Sequence, residues 1–375
     1  MTKKIFIITG EYSGDNHASK VARELFKLYN NDIIIEAVGE SNLEKEGVKL
    51  FLNHQKMGKV GLTFKSVFEH FKIGKKIIDY LKNEFKPDLV LLVDYGAFNL
   101  QISKHLKKAG IKTFYFIPPQ IWASRKYRLK TIKKNIDKVL TIFPFEEDFY
   151  KSYGIDAEYV GHPIVSELPE CNDKEAFFKK HKLDKNKKLI GIFPGSRVFE
   201  IKFLLNIFLK TARLLEKTRN DVQFVFSKAN SLPDDIFNVP YKTIKGENHQ
   251  LLAYSDFLIL ASGTVALEAA IYEVPMLIAY RGPVLFYIIY LIVRNIKKAC
   301  LVNIITKKDY VREFLMYDAK AEKIANYVNQ ILDNEEKRDY IIQGLKETKQ
   351  LLNKGLCAYH AANIIKENLN NEDVR

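Results

Sequence analysis

Short continuous apolar runs alternate along this chain with longer stretches in which apolar residues return at helical spacing. Ile5–Thr9, Ile33–Val38, Leu89–Val93, Ile111–Ile117 and Val139–Ile142 read as buried strands, the fourth ended by Pro118-Pro119. Ala18–Leu28 (Val21, Leu25, Leu28), Val67–Leu81 (Val67, Phe71, Ile78, Leu81) and Leu100–Ala109 read as helices. Gly74 falls on the apolar face of the second and weakens it. The stretch Leu168–Lys188 is polar and charged and reads as an interdomain linker with a short helix. The alternation then restarts, with strands at Leu189–Phe193, Gln223–Ser227, Leu258–Ala261 and Met276–Ala279. Helices are expected at Glu200–Lys217, Thr264–Ile271, Asp339–Lys349 and Ala361–Leu369. A repeated βα unit implies a parallel sheet covered by helices on both faces. Two such series predict an α/β protein of two Rossmann-like, doubly wound domains facing a cleft, with ligands at the carboxyl ends of the strands. The expected division is residues 1–170, residues 171–345, and C-terminal helices 346–375 packing back toward the first domain.

Composition narrows the partners. Of 375 residues, 47% are hydrophobic and 28% charged, which excludes a disordered chain. The net charge of +14 favours an anionic partner: nucleic acid, an anionic membrane surface or a phosphorylated substrate. The basic residues are spread widely and carry no RRM, KH or helix-turn-helix signature, which argues against nucleic acid. Cys171, Cys300 and Cys357 lie far apart with no C-x-x-C, as expected in a reducing cytosol. The apolar run after Lys3-Lys4 is too short for a signal peptide. The longest apolar stretch, Pro283–Val293, is too short to span a bilayer, which takes roughly 20 residues as a helix. Flanked by Arg281, Arg294, Lys297 and Lys298, it reads as a buried helix or one lying in the membrane interface. A second surface of that kind is Phe64, Phe68 and Phe71 with Lys65, Lys72, Lys75 and Lys76.

Three Gly-containing turns join a strand to a helix. In Phe193-Pro194-Gly195-Ser196-Arg197, glycine permits close approach of an anion, helix N–H groups attract it, and Arg197 can fork onto two phosphate oxygens. Ala261-Ser262-Gly263-Thr264 repeats the arrangement, and Glu268, one helical turn on, is suited to two vicinal ribose hydroxyls. In Gly10-Glu11-Tyr12-Ser13-Gly14-Asp15 the two glycines would admit a bulky acceptor. Asp94 follows the strand Leu89–Val93 directly, where a carboxylate can take a proton from a hydroxyl, and Asn99 could hold it. His162 in Gly161-His162-Pro163 is a weaker candidate. H-E-x-x-H, D-x-D, G-x-S-x-G and Walker A patterns are absent, so no metal, cofactor or serine-hydrolase chemistry is expected.

Taken together, these segments resemble the lipid-A-disaccharide synthases, inverting glycosyltransferases of the two-Rossmann GT-B architecture. In family order they are G-E-Y-S-G-D at 10–15, K-P-D-L-V-L-L-V-D at 86–94, I-W-A-S-R-K-Y-R at 121–128 and F-P-F-E at 143–146. V-G-H-P at 160–163, P-G-S-R-V-F-E at 194–200, A-S-G-T-V-A-L-E at 261–268, P-M-L-I-A-Y-R at 275–281 and Asn303 complete the set. The resemblance implies condensation of UDP-2,3-diacylglucosamine with 2,3-diacylglucosamine 1-phosphate, giving a β(1→6) disaccharide and UDP. It makes Asp94 the base and Arg197, with Gly195 and Ser196, the stabiliser of departing UDP. Ser262, Gly263 and Thr264 would meet the diphosphate and Glu268 the ribose. Gly10, Glu11, Ser13, Gly14, Asp15, Asn99 and Trp122 would lie on the acceptor side. It also implies a peripheral protein on the cytoplasmic face of the inner membrane; an oligomer is compatible with it.

This chain departs from the family pattern in places. Ala97 stands where the family has a second Asp, Gly61 replaces a Glu and Ser124 a Trp. Lys308 replaces Arg, Arg312 replaces Pro and Met316 replaces Gln. A different lipid acceptor, or a UDP-sugar epimerase on the same fold, is the competing expectation.

Overall fold

The computed structural model describes residues 2–53, 64–283 and 298–370. Gly61, the apolar run after Pro283 and its flanking Arg294 and Lys297 lie outside the described residues, as do the side chains of residues 64–71. The chain forms two units, Met1–Ser166 with Lys354–Arg375, and Glu167–Asn353.

The first unit is built on strands β1 (Lys3–Ile8), β2 (Ile33–Gly39), β3 (Lys49–Asn53), β4 (Leu89–Val93), β5 (Thr113–Phe116), β6 (Lys138–Thr141) and β7 (Ala157–Tyr159). All pair in parallel, in the order β3-β2-β1-β4-β5-β6-β7. Strand order reverses between β1 and β4, which pair from Ile5↔Leu89 to Ile8↔Leu92. Every residue of β4 is buried, because helices cover the sheet on both faces. One face packs helix Tyr12–Leu28 (Val21, Leu25) and the last helix, Cys357–Asn370 (Ala361, Ile365), into a single core. The other carries Ile77 and Leu81, Leu100 and Leu106, Ile132 and Tyr150.

The second unit uses β8 (Lys188–Phe193), β9 (Val222–Ser227), β10 (Lys242–Ile244), β11 (Phe257–Ala261), β12 (Met276–Tyr280) and β13 (Arg312–Leu315). These are also parallel, in the order β10-β9-β8-β11-β12-β13, with the reversal between β8 and β11.

Two details differ from expectation. The polar stretch after Leu168 belongs to the second unit: its helix Lys174–Lys180, capped by Asp173, buries Phe177 and Phe178 in that unit's core. The helix expected at 339–349 runs from Glu335 to Leu352 within the second unit, and the chain passes to the first unit after Asn353. Among the described residues no helix is long and apolar enough to cross a membrane.

The last helix thus completes a core otherwise built from residues far earlier in the chain. Ile365 is 0% exposed in that core. Ile365→Ala should destabilise the first unit by about 2–4 kcal/mol, the cost of a buried cavity. Urea unfolding followed with a probe in each unit should show the loss in the first unit's transition alone.

Candidate active site

In the first unit, the apolar run of β4 ends on Asp94, at the carboxyl end where the strand order reverses. Asp94 and Tyr95 both take left-handed backbone, φ +49° each, a conformation uncommon away from glycine. The turn is over-determined. The Asp94 carbonyl accepts a hydrogen bond from Asn99 Nδ2 at 2.8 Å and another from the Tyr115 hydroxyl at 2.7 Å. Asn99 Nδ2 also donates to the Val93 carbonyl at 3.2 Å. The Asp94 carboxyl is half-buried, and burial raises its pKa above the ordinary value despite the Tyr95 N–H and the nearby His17, which both favour the charged form. A desolvated carboxylate held on a rigid turn is suited to general-base work.

The acceptor-side candidates divide. Glu11, Ser13 and Tyr12 are exposed at the start of helix Tyr12–Leu28. Gly10 does not open the backbone to a ligand; a Cβ there would lie 1.9 Å from the Tyr95 ring, so glycine makes room for Tyr95. Gly14 is buried in ordinary contact with Asp94 and Val93. Asp15 is fully buried, and its two oxygens accept from Glu40 N at 2.6 Å and Asn42 N at 2.9 Å, tying the first turn to helix Ser41–Lys45. Asn99, also buried, acts on the turn described above. Trp122, expected on the acceptor side, is 6% exposed and donates from Nε1 to Glu146 Oε1 at 2.8 Å. Glu146 Oε2 accepts from Phe143 N at 3.2 Å, and burial pushes this carboxyl up to about 7. His162 accepts at Nδ1 from Ile164 N at 3.1 Å and packs beside Phe143, a structural arrangement.

In the second unit, a cavity of about 380 Å³ lies at the carboxyl ends of β8, β9 and β11. Gly195, Ser196, Arg197, Ser262, Gly263, Thr264 and Glu268, all expected from sequence, line it. Gly195 has φ +121°, and a Cβ there would meet Glu200 Oε2 at 2.4 Å. Glu200 Oε2 in turn accepts from Ser196 N at 2.8 Å and Arg197 N at 3.2 Å. The backbone donors expected to meet phosphate are therefore already taken by the Glu200 carboxylate at the start of helix Val198–Thr218. The Arg197 side chain is 79% exposed and lies 3.5 Å from Glu200. Ser262 donates weakly to the Ala299 carbonyl at 3.4 Å, while Gly263 and Thr264 are exposed. Burial pushes the Glu268 carboxyl up to about 7. Asn248 and Ser227 also line the cavity and hydrogen-bond each other at 2.7 Å.

Asn303 lies beyond this cavity. Its amide bonds Val311 N and O at 2.9 and 2.7 Å and Glu313 Oε1 at 2.9 Å, fastening helix Leu301–Thr306 to β13. Nearby, Lys308 pairs with Glu347, Arg312 pairs with Asp318, and Met316 is buried. No group of His, Cys, Asp or Glu that could hold a metal occurs among the described residues.

Sequence reading passed over Glu200, His17, Tyr115, Glu146 and the Ser227–Asn248 pair. Glu200 and Glu146 left a signal, each closing a quoted motif as the third residue after a helix N-cap, Arg197 and Phe143.

The model of the family described as lipid-A-disaccharide synthetase matches residues 5–367. The chain belongs to the lipid-A-disaccharide synthase family. Lipid-A-disaccharide synthase 1 of Legionella pneumophila (strain Lens) is 34% identical over 360 residues, 93% of each chain. The lipid-A-disaccharide synthase of Coxiella burnetii (strain CbuG_Q212) is 33% identical over 371 residues, 97% of this chain and 98% of that one. Solved structures with the same fold include UDP-GlcNAc 2-epimerase from Neisseria meningitidis bound to UDP-GlcNAc, with TM-score 0.61, 16% identity and coverage of 98% and 99%. A glycosyltransferase from Rickettsia africae matches with TM-score 0.61, 13% identity and 98% coverage of both chains. At such identities these neighbours establish the GT-B fold alone. The family membership makes the chain a glycosyltransferase of lipid A synthesis with a UDP-sugar donor and a lipid acceptor, and nothing favours the epimerase alternative.

Glu146 gives a pH test of the first unit. Its folded pKa of about 7 lies above the ordinary 4.5, so its contribution is complete below about pH 4.5 and is lost as pH rises toward 7. Wild-type stability should fall across that window by roughly 3 kcal/mol from this group. Glu146→Gln should flatten the fall. It should leave the acid plateau close to that of the wild type, because the protonated carboxyl, like the amide, already spends one side as a donor. Urea midpoints measured across pH check both effects.

Proposed function

We propose that this lipid-A-disaccharide synthase family member moves the 2,3-diacylglucosamine unit of its UDP donor onto the 6-hydroxyl of 2,3-diacylglucosamine 1-phosphate. UDP leaves and a β(1→6) disaccharide 1-phosphate forms. Asp94 takes the proton of the acceptor hydroxyl, Arg197 stabilises the departing diphosphate, Ser262, Gly263 and Thr264 lie along it, and Glu268 binds the ribose. The observation that carries these roles is the placement of one desolvated carboxylate on a fixed turn at the end of β4, and of one exposed arginine and one half-buried carboxylate around the cavity at the ends of β8 and β11.

The chemistry is consistent. Inversion needs a base opposite the leaving group and passes through an oxocarbenium-like transition state. The leaving diphosphate carries its charge already, so an arginine beside it can replace a general acid. Acylated, phosphorylated substrates and a net charge of +14 support work at the cytoplasmic face of the inner membrane, as a peripheral protein.

Asp94→Asn should lower acceptor-dependent UDP release by roughly 10²–10⁴-fold while UDP affinity holds. In the wild type the acid limb of kcat should sit above the ordinary carboxylate range, since burial raises the Asp94 pKa. Loss of UDP binding in a folded Asp94→Asn protein would contradict the base assignment. Arg197→Ala should weaken UDP binding by about tenfold or more and uridine binding hardly at all, because the charge-assisted bond goes to phosphate. Titration calorimetry with both ligands separates the outcomes.

A further inference from the structure

His249 stands beside Glu268 in an arrangement that no role described so far explains. It lies in the first turn of helix Asn248–Tyr254, whose start is fixed to the end of β9 by the Ser227–Asn248 hydrogen bond. Its Nδ1 is buried and has no hydrogen-bond partner. That nitrogen is 3.6 Å from Glu268 Oε2, a few tenths of an ångström beyond a hydrogen bond. A sealed polar atom without a partner is costly and rare in a folded protein, and here it points at a carboxylate on the wall of a ligand cavity.

We propose that His249 is a positioning residue for the donor: through Nδ1 it holds the Glu268 carboxylate in the charged form and the orientation that accept one hydrogen from each of two vicinal hydroxyls. This rests on the reading of Glu268 as the ribose ligand. A neutral carboxyl must spend one oxygen as a donor, whereas a carboxylate accepts at both. Burial alone drives Glu268 toward the neutral form and His249 toward neutral imidazole. An Nδ1–H donated to Oε2 offsets that cost and leaves the other lone pairs to the sugar.

The other ionisable groups around Glu268 are already engaged. Arg197 and Glu200 line the same cavity 3.5 Å from each other. Tyr272, at the end of the Glu268 helix, donates its hydroxyl to the Pro169 carbonyl at 2.8 Å and lies beside Cys171. The Glu247 carboxylate next to His249 is taken by Lys180 and His181.

The test compares the Kd of UDP with that of 2′,3′-dideoxy-UDP from mildly acidic to mildly alkaline pH. The ratio cancels the titration of the diphosphate common to both. In the wild type the ratio should favour UDP more strongly as pH rises and Glu268 ionises. His249→Leu should move that rise to higher pH and reduce the ratio at neutral pH about twofold, the effect of about half a pKa unit on a carboxyl near 7. His249→Asn, whose amide can sit where Nδ1 sits, should restore most of it. An unchanged ratio and midpoint in His249→Leu overturn the proposal, as does a folded His249→Asn protein that behaves like His249→Leu. If His249→Leu does not fold, ¹⁵N NMR of the wild-type imidazole decides: saturating UDP should shift the Nδ1 resonance toward its protonated position, and no shift overturns the proposal. Failure of the underlying reading looks different. There the wild type itself binds the two nucleotides equally, or Glu268→Gln keeps the discrimination.

Discussion

A strand paired on both edges and covered on both faces takes a polar side chain along its length only with a partner, as β2 takes Glu36 with Lys49 and Tyr80, so polar groups collect at its ends. The two strands β4 and β11 at the reversals show this. β4 is apolar and buried from Leu89 to Val93 and meets its first carboxylate at Asp94. β11 is buried from Phe257 to Ala261 and is followed by Ser262, Gly263 and Thr264. Where strand order reverses, the loops leaving neighbouring strands diverge, and a crevice opens just where these polar groups are. The location of both halves of the chemistry is thus a by-product of how parallel sheets are buried.

Location is not yet function, because a free carboxylate on a loose turn would be solvated and weakly basic. The left-handed pair Asp94–Tyr95 costs backbone energy that the surroundings must offset. They do so with two hydrogen bonds onto one carbonyl oxygen, from Asn99 and Tyr115, and with Gly10, whose missing side chain admits the Tyr95 ring. All three act on the turn itself, and each has the effect of fixing where the Asp94 carboxylate points.

The same physics explains what was legible in the sequence. The inner strands of both sheets are continuous apolar runs and were readable as such. The unread strands are the four edges: β3, β7, β10 and β13. β3, β10 and β13 each keep residues open to solvent, as in Arg312-Glu313 of β13, and β7 is only three residues long, so none shows a long apolar run. The lining of the second unit's cavity was legible because two strand-to-helix turns there each set a Gly beside Ser, Thr or Arg. The acceptor-side residues were less so. Asp15 and Trp122 sit in conspicuous motifs yet spend their polar atoms inside the fold, on Glu40 and Asn42 and on Glu146. A polar residue that builds a loop and one that meets a ligand look alike until burial is known.

Burial also gives the two carboxylates of the proposed chemistry a shared difficulty. Asp94 and Glu268 are each desolvated, and each must be ionised to do its work, one to accept a proton and the other to accept two hydroxyls. Desolvation makes a carboxylate a better base and a stronger hydrogen-bond acceptor only if something nearby keeps it charged. For Asp94 that is the Tyr95 N–H and the charge of His17. For Glu268 the neighbour among the described residues whose polar atom is sealed and unengaged is His249. Acid should therefore silence the enzyme twice, at Asp94 through turnover and at Glu268 through donor affinity. The two losses are separable, because kcat reports the first and nucleotide Kd the second.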